Sequence, residues 1–448
     1  NPGTLAGFEP ASLEWLAASA GQLGLSADRR RDLLRRLERP DVPGLPALVV
    51  EDLKNPQGGS FGIHKIHSLL LLSQLDECLK LQPDLTNQKA FVNAYLSRLR
   101  PDNDSDWRRD EKVRQAYLER LWSFVSRLEP AHNSLKAHVL YHRLVHDRAL
   151  GVYDKDRFLA YLALPRQAPY MNAKYLERED NQEHLANLRL NFTPNTLLPP
   201  VMDDENLVRE YLAHFFQKED DWKPYAAFVD ETYLKGLLAE TKILLDPAGA
   251  ERWIAMLEPS TFKELKDRVD IDFAPTNKTY FAADDKVALE VRVKNVGKLI
   301  VKVFEINAMN YYREYGREIG PNIPLDGLVA NEERVEPCGD SPLPRITKTL
   351  AFPNLDKPGV YVVDLIGNGK SSRAIIRKGR LHNLHATSTA GHVFTVLDEA
   401  NNKVPAASLW MAGHEYKPGP DGRIVVPFTT KPSAQEIILS DGQTTSLA

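Results

Sequence analysis

Gly58-Gly59-Ser60-Phe61-Gly62 fits the G-x-S-x-G pattern of a hydrolase nucleophile elbow, which makes Ser60 the first candidate for chemistry. An elbow needs a strand running straight into the serine, so that a strained turn exposes the hydroxyl. Here Leu48-Val49-Val50 is separated from the motif by the polar stretch Glu51–Gln57, and the flanking sequence reads helical. A Gly-rich loop capping a helix at Ile63–Leu81 is the preferred reading, and a serine hydrolase using Ser60 is the alternative. The same loop could cradle an anion at that helix start, but it lacks the preceding strand such sites use.

His138, His142 and His146 recur every fourth residue and share one face of a helix, a spacing that can hold Zn²⁺. The spacers Val139-Leu140-Tyr141 and Arg143-Leu144-Val145 lack the Glu of an H-E-x-x-H site, and one straight helix converges poorly on one ion. A polar or interfacial stripe is expected, with a metal site or a partner contact of a helical adaptor as alternatives. His64 and His67 read as capping or surface residues. Glu177, Glu179, Asp180, Glu183 and His184 lack the regular spacing of a calcium loop and read as a solvated run. Gly367-Asn368-Gly369-Lys370-Ser371 resembles the end of a phosphate loop, but a strand follows it, so a hairpin turn is expected. Asn103, Asn191 and Asn277 each begin an N-x-S/T triplet in a predicted loop and are glycosylation candidates. No catalytic residue, cofactor or metal is assigned.

The elements that would position these residues change character along the chain. From Pro10 to about Leu265 the apolar period is helical. Val113, Tyr117, Leu121, Phe124, Val125 and Leu128 line the longest helix, and Ser26 and Thr86 read as caps. Further helices are expected at 132–147, 154–162, 204–217, 226–244 and 248–257, with prolines between the patterns. Leu164–Val201 has no clear period and reads as a long connection. After Val269 the period becomes two. Val287, Leu289, Val291 and Val293 alternate with polar residues, Asn295-Val296-Gly297 breaks the run, and Leu299, Val301 and Val303 alternate again. That pattern predicts an antiparallel hairpin with one wet and one dry face. More strands follow at 347–352, 359–367, 371–378, 392–398, 404–411, 423–428 and 436–440. The fold class is therefore α+β: an irregular helical bundle (1–265), a β-sandwich (266–380) and the start of a second (381–448). With four clear strands in the second sandwich, the chain is expected to continue beyond Ala448.

A length of 448 residues demands several domains. A net charge of −4, without basic stripes, argues against nucleic acid as a partner. Two distant cysteines, Cys78 and Cys338, exclude a disulfide scaffold. No apolar run reaches membrane-spanning length. Asn1-Pro2-Gly3 has neither Met nor a signal-like segment, and a processed piece of a longer protein is expected.

Four pieces of the β half carry a resemblance: Tyr280–Asn307; Lys357–Leu365; His392–Asp398 with Val404–Trp410; and Asp421–Pro427. Over residues 270–448 they resemble the alpha-2-macroglobulin family, built of strings of macroglobulin-like antiparallel β-sandwich domains. The resemblance implies a secreted, periplasmic or cell-surface scaffold that is not an enzyme and whose partners are other proteins, proteases among them. Pro337-Cys338-Gly339-Asp340-Ser341 lacks the Glu and Gln of the family's thioester, so none is expected in this chain.

Overall fold

The apolar residues of the N-terminal half sit on helices in the computed structural model, which describes residues 5–102, 105–339, 341–430, 433 and 435–448. The chain divides into two units. The first comprises Asn1–Asp147, Tyr153–Tyr211 and Lys223–Leu234, and the second Arg148–Val152, Leu212–Trp222 and Lys235–Ala448.

In the first unit Asp110 starts the helix Glu111–Val125 by accepting the Lys112 and Val113 N–H groups at 3.0 and 3.1 Å. These bonds satisfy donors that a helix start leaves unpaired. The face of Tyr117, Leu118, Leu121, Phe124 and Val125 is buried, and it joins a core with Phe91, Leu96, Leu135 and Val139. Ser26 stands at the start of Ala27–Arg36 but makes no capping bond, and Thr86 lies in the 3₁₀ turn Pro83–Asn87. The expected helix Ile63–Leu81 is two pieces, Lys65–Leu69 and Leu72–Leu81, because Leu70 turns extended at ψ 139°. The stretch read as a loose connection is also folded. It holds short helices at Ala173–Leu176, Glu179–Glu183 and Thr193–Thr196, and single bridges tie Arg166 to Ala186 and Met171 to Val229.

In the second unit β1 (Asp270–Phe273), β3 (Ala288–Lys294) and β6 (Ile346–Ala351) form one sheet in the order β1-β3-β6. The facing sheet contains β2 (Tyr280–Phe281), β4 (Lys298–Ile306), β5 (Glu332–Pro337), β7 (Gly359–Gly367) and β8 (Lys370–Lys378), ordered β2-β8-β7-β4-β5. The expected hairpin of β3 and β4 does not form, since the two strands lie in opposite sheets. The reason is visible in their apolar sets. Leu289, Val291 and Val293 face Leu299, Val301 and Val303 across one core, and all six are at most 1% exposed. Burial of each such side chain is worth roughly 1.5–3 kcal/mol. Gly367 to Lys370 does make the expected tight hairpin. Asn368 and Gly369 adopt φ 44° and 77°, both positive as a two-residue type I′ turn requires.

The second sandwich has more strands than the sequence suggested. β9 (Leu381–Ser388), β10 (Gly391–Asp398) and β13 (Arg423–Val426) are ordered β13-β10-β9. The other sheet holds β11 (Ser408–Met411), β12 (His414–Tyr416), β14 (Ile437–Ser440) and β15 (Thr445–Leu447), ordered β12-β11-β14-β15. β9 is polar enough to escape an alternation test, and β12 and β15 have three residues each. The fold is thus a helical N-terminal half followed by antiparallel sandwiches, with β2–β8 the one parallel pair described.

Candidate functional site

Ser60 is exposed, and the element before its loop is the helix Leu45–Leu53 rather than a strand. The glycines serve the backbone. A Cβ on Gly58 would lie 1.8 Å from the Asp52 carbonyl oxygen, while Gly59 and Gly62 take φ of +80° and +98°. His67, seven residues on, is fully buried, and its Nδ1 accepts the Gly62 N–H at 2.9 Å. Among the described residues no histidine hydrogen-bonds the Ser60 hydroxyl, so no base is in place to activate it. A fluorophosphonate probe is expected to leave the native protein unlabelled, with Ser60→Ala indistinguishable from it. Labelling that Ser60→Ala abolishes would restore the hydrolase reading.

Of the capping and surface readings, His64 does stand at the N-cap of Lys65–Leu69, without a side-chain capping bond, but neither it nor His67 lies on the surface. They are 6% and 0% exposed, beside a fully buried Asp52. His64 Nε2 stands 3.6 Å from Asp52 Oδ2, and Arg31 Nε stands 3.6 Å from Asp52 Oδ1. Burial lowers the His64 pKa against the pull of Asp52 and pushes His67 down to about 4.

His138, His142 and His146 do share a face of the helix Asn133–Ala149, but that face is buried, with exposures of 2%, 5% and 6%. His138 and His142 hold the segment that follows Phe192. His138 Nε2 lies 3.1 Å from Thr196 Oγ1, and His142 Nε2 donates to the Pro199 carbonyl at 2.8 Å. A ring nitrogen that donates to a carbonyl has no lone pair to offer a cation. The rings of His138 and His142 meet edge to face at 4.8 Å. Among the described residues no three His, Cys, Asp or Glu side chains are placed to hold a metal ion. Burial pushes His138 down to about 3 and His142 to about 4, and it lowers His146 as well. These rings are neutral and out of reach of a partner's surface.

The best-connected polar cluster has no local signature in the sequence. Asp204 Oδ2 accepts from Arg166 Nε at 2.8 Å, Tyr161 OH at 2.6 Å and Tyr170 OH at 2.7 Å, and all four residues are at most 2% exposed. Arg166 Nη1 donates to the Tyr161 and Leu164 carbonyls. Burial raises both tyrosine pKa values. The lone Arg166 and the Asp203-Asp204 pair fit no motif, so only the fold brings them together.

Of the glycosylation candidates, Asn103 lies outside the described residues. Asn191 is exposed, and its Oδ1 accepts the Thr193 N–H at 2.9 Å. Asn277 is half-buried and spends its amide on β3, donating to Glu290 O and accepting from Glu290 N, each at 2.7 Å. Glycosylation there would put the sugar on the same Nδ2 that makes the first of these bonds.

One open groove has the side chains of a protein contact. About 760 Å³ in volume, it runs between the helix Ala308–Tyr315 and the β11–β12 turn. Arg313 lies over the Trp410 ring at 4.3 Å, with Tyr312 and Met411 beside them. Trp, Tyr and Arg dominate binding energy where proteins meet.

Comparison with known proteins places the chain. The profile of the Actin-binding protein F N-terminal domain matches residues 1–269, and that of the AbpF first immunoglobulin-like domain matches residues 299–379. The chain is 35% identical over 420 residues to Actin-binding protein F of Dictyostelium discoideum, covering 93% of this chain and 17% of that protein's length. Among solved structures, Escherichia coli alpha-2-macroglobulin spanning domains MG0-NIE-MG1 is similar at 11% identity. It covers 40% of this chain and 64% of that one, with a TM-score of 0.29. A chimeric titin Z1Z2 tandem is similar at 16% identity over 40% of this chain and 96% of that one, with a TM-score of 0.21. Scores this low carry no argument. The family matches overturn the macroglobulin reading, and with it the protease-binding scaffold and the extracellular, periplasmic or cell-surface placement. Strand alternation is common to many sandwiches, and it was all that supported that reading. No helix among the described residues is long and apolar enough to cross a membrane.

Proposed function

The chain belongs to the actin-binding protein F family, and from that premise we propose that it is a non-enzymatic segment that binds actin filaments in the cytoplasm. The observation that carries this reading is the match of residues 1–269 to the family's N-terminal domain, together with identity that runs on through the sandwiches. The relative is named for binding actin, and this chain spans 17% of its length. The titratable clusters support a binding role over catalysis. His64, His67, His138, His142, His146 and Asp204 are buried within the fold, and the exposed nucleophile candidate Ser60 has no base beside it among the described residues. We place a contact in the groove of Arg313 and Trp410, where a flat aromatic and a guanidinium meet beside Tyr312 and Met411.

Co-sedimentation with filamentous actin tests the reading. The 448-residue chain is expected to pellet saturably with filaments and to remain in the supernatant without them. Trp410→Ala, with its fold checked by circular dichroism, is expected to lose about 2 kcal/mol of affinity, roughly thirtyfold. Wild-type protein that stays in the supernatant at saturating actin contradicts the proposal. Unchanged binding by Trp410→Ala moves the contact elsewhere.

A further inference from the structure

The edge strands of the two sandwiches are treated unequally. An exposed edge presents unpaired N–H and C=O groups, and proteins blunt such edges with charge, shortness or a cover. β5 carries Glu332, Glu333, Arg334 and Glu336 in six residues. β6 carries Lys348, and Arg334 Nη2 reaches across to its Ala351 carbonyl at 2.8 Å. β1 has four residues, two of them Asp, and β2 has two. In the second sandwich β12 and β15 have three residues each, and β13 has four, including Arg423.

β9 has none of these devices. Its sequence, Leu-His-Asn-Leu-His-Ala-Thr-Ser over 381–388, contains no acidic residue, no Lys or Arg and no proline across eight residues. Among the described strands it pairs with β10 alone. Leu381 N–H is bonded to Ser446 Oγ, while Leu384, His385, Ala386 and Thr387 are all exposed. Side-chain contacts tie the strand to β10. His385 Nε2 lies 2.9 Å from His392 Nδ1, and the His385 ring stacks on Phe394 at 4.9 Å.

One row of the sheet face beside this edge is apolar, next to the row of Leu384, Thr395 and Arg423. Ala386 pairs with Val393, and Val393 with Val425, so the three stand in one row across β9, β10 and β13. Phe394, Val396, Ile424 and Val426 point to the opposite, buried face. Leu384 is 49% exposed and Val425 45% exposed.

We infer that β9 is a self-pairing edge, and that two copies of this chain join antiparallel through it into a six-stranded sheet ordered β13-β10-β9-β9-β10-β13. An antiparallel two-fold contact sets residues on one side of the axis against those equally far on the other, which punishes a strand rich in one charge and favours a neutral one. β5 would meet its own glutamates in such a pairing, whereas β9 meets Leu, His, Ala and Thr. The row of Ala386, Val393 and Val425 then continues across the axis into the second copy. Main-chain hydrogen bonds supply the attraction, and the apolar row fixes the register. A paired chain would present two copies of any filament-binding surface, although the inference does not depend on what the chain binds.

Sedimentation equilibrium on the 448-residue chain decides the matter. From micromolar to 100 µM the mass is expected to rise from 50.5 kDa toward twice that value. The double variant Leu384→Lys with Ala386→Lys is expected to stay at the monomer mass with an unchanged circular dichroism spectrum and melting curve. His414→Lys, on the short edge β12, is expected to dimerise like the wild type. A wild-type chain that stays monomeric at 100 µM overturns the inference. So does a dimer that the double variant leaves intact.

Discussion

Replacing Asp204 with alanine is expected to lower the unfolding free energy of the helical region by about 3–5 kcal/mol, the range found when one member of a buried ion pair is removed. Three donors converge on Asp204 Oδ2, from Arg166, Tyr161 and Tyr170, and solvent reaches none of them. Without the carboxylate, a guanidinium and two hydroxyls stay buried with their mutual acceptor gone. The result should exceed that of an exposed pair such as Arg39 with Asp41, where water screens the charges. Urea denaturation followed by far-ultraviolet circular dichroism measures the loss. A companion variant separates the pair's own worth from the penalty of stranding a partner. Arg166→Met combined with Asp204→Leu removes both charges and is expected to recover most of the stability. A loss under 1 kcal/mol for Asp204→Ala would show that the cluster does not hold residues 164–204 in place.

The second large effect is acid sensitivity. His67, His138 and His142 are buried and neutral, with pKa values pushed down to about 4, 3 and 4. In the unfolded chain each titrates near 6.5, so below that pH the unfolded state binds more protons than the folded one. Stability therefore falls as pH drops through 6.5, and it keeps falling until about 4 for His67 and His142 and about 3 for His138. Each group contributes about 1.4 kcal/mol per pH unit inside its window, so the three together give a slope on the order of 4 kcal/mol per unit between pH 6 and 4.5. Urea midpoints across that range are expected to decline steeply, and His138→Asn combined with His142→Gln to flatten the decline. A midpoint unchanged between pH 7 and 5 would mean that these rings are solvated in the folded protein.

Helices were the most legible part of the chain, because a stripe such as Tyr117, Leu121, Phe124 and Val125 repeats often enough to be unambiguous. Strands were legible too, but their partners were not. Alternation in β3 and β4 identifies the buried sets, yet an adjacent hairpin and a crossing between two sheets produce the same alternation. Lys294 illustrates the limit of a period-two reading. It falls on the expected wet face but is 1% exposed, and its Nζ donates to the Arg268 carbonyl at 2.6 Å. The histidine stripe is visible from its spacing, but spacing gives a common face without saying what covers it. The cover is the segment Phe192–Pro199, read as a connection because it has no period. Arg166, Tyr161, Tyr170 and Asp204 lay beyond any local reading, since Asp204 is 38 residues from Arg166 and meets it only through the fold. The macroglobulin resemblance failed for a related reason. It rested on strand patterns shared by many sandwiches, and it left the helical half, which matches the family's N-terminal domain, without a counterpart.

Electron microscopy of actin filaments incubated with the 448-residue chain tests the central claim most directly. A filament-binding segment is expected to decorate filaments at the repeat of the actin subunits, and Trp410→Ala to thin that decoration at the same concentration. Filaments that stay bare at saturating chain would contradict the account and place the family's actin contact outside these residues.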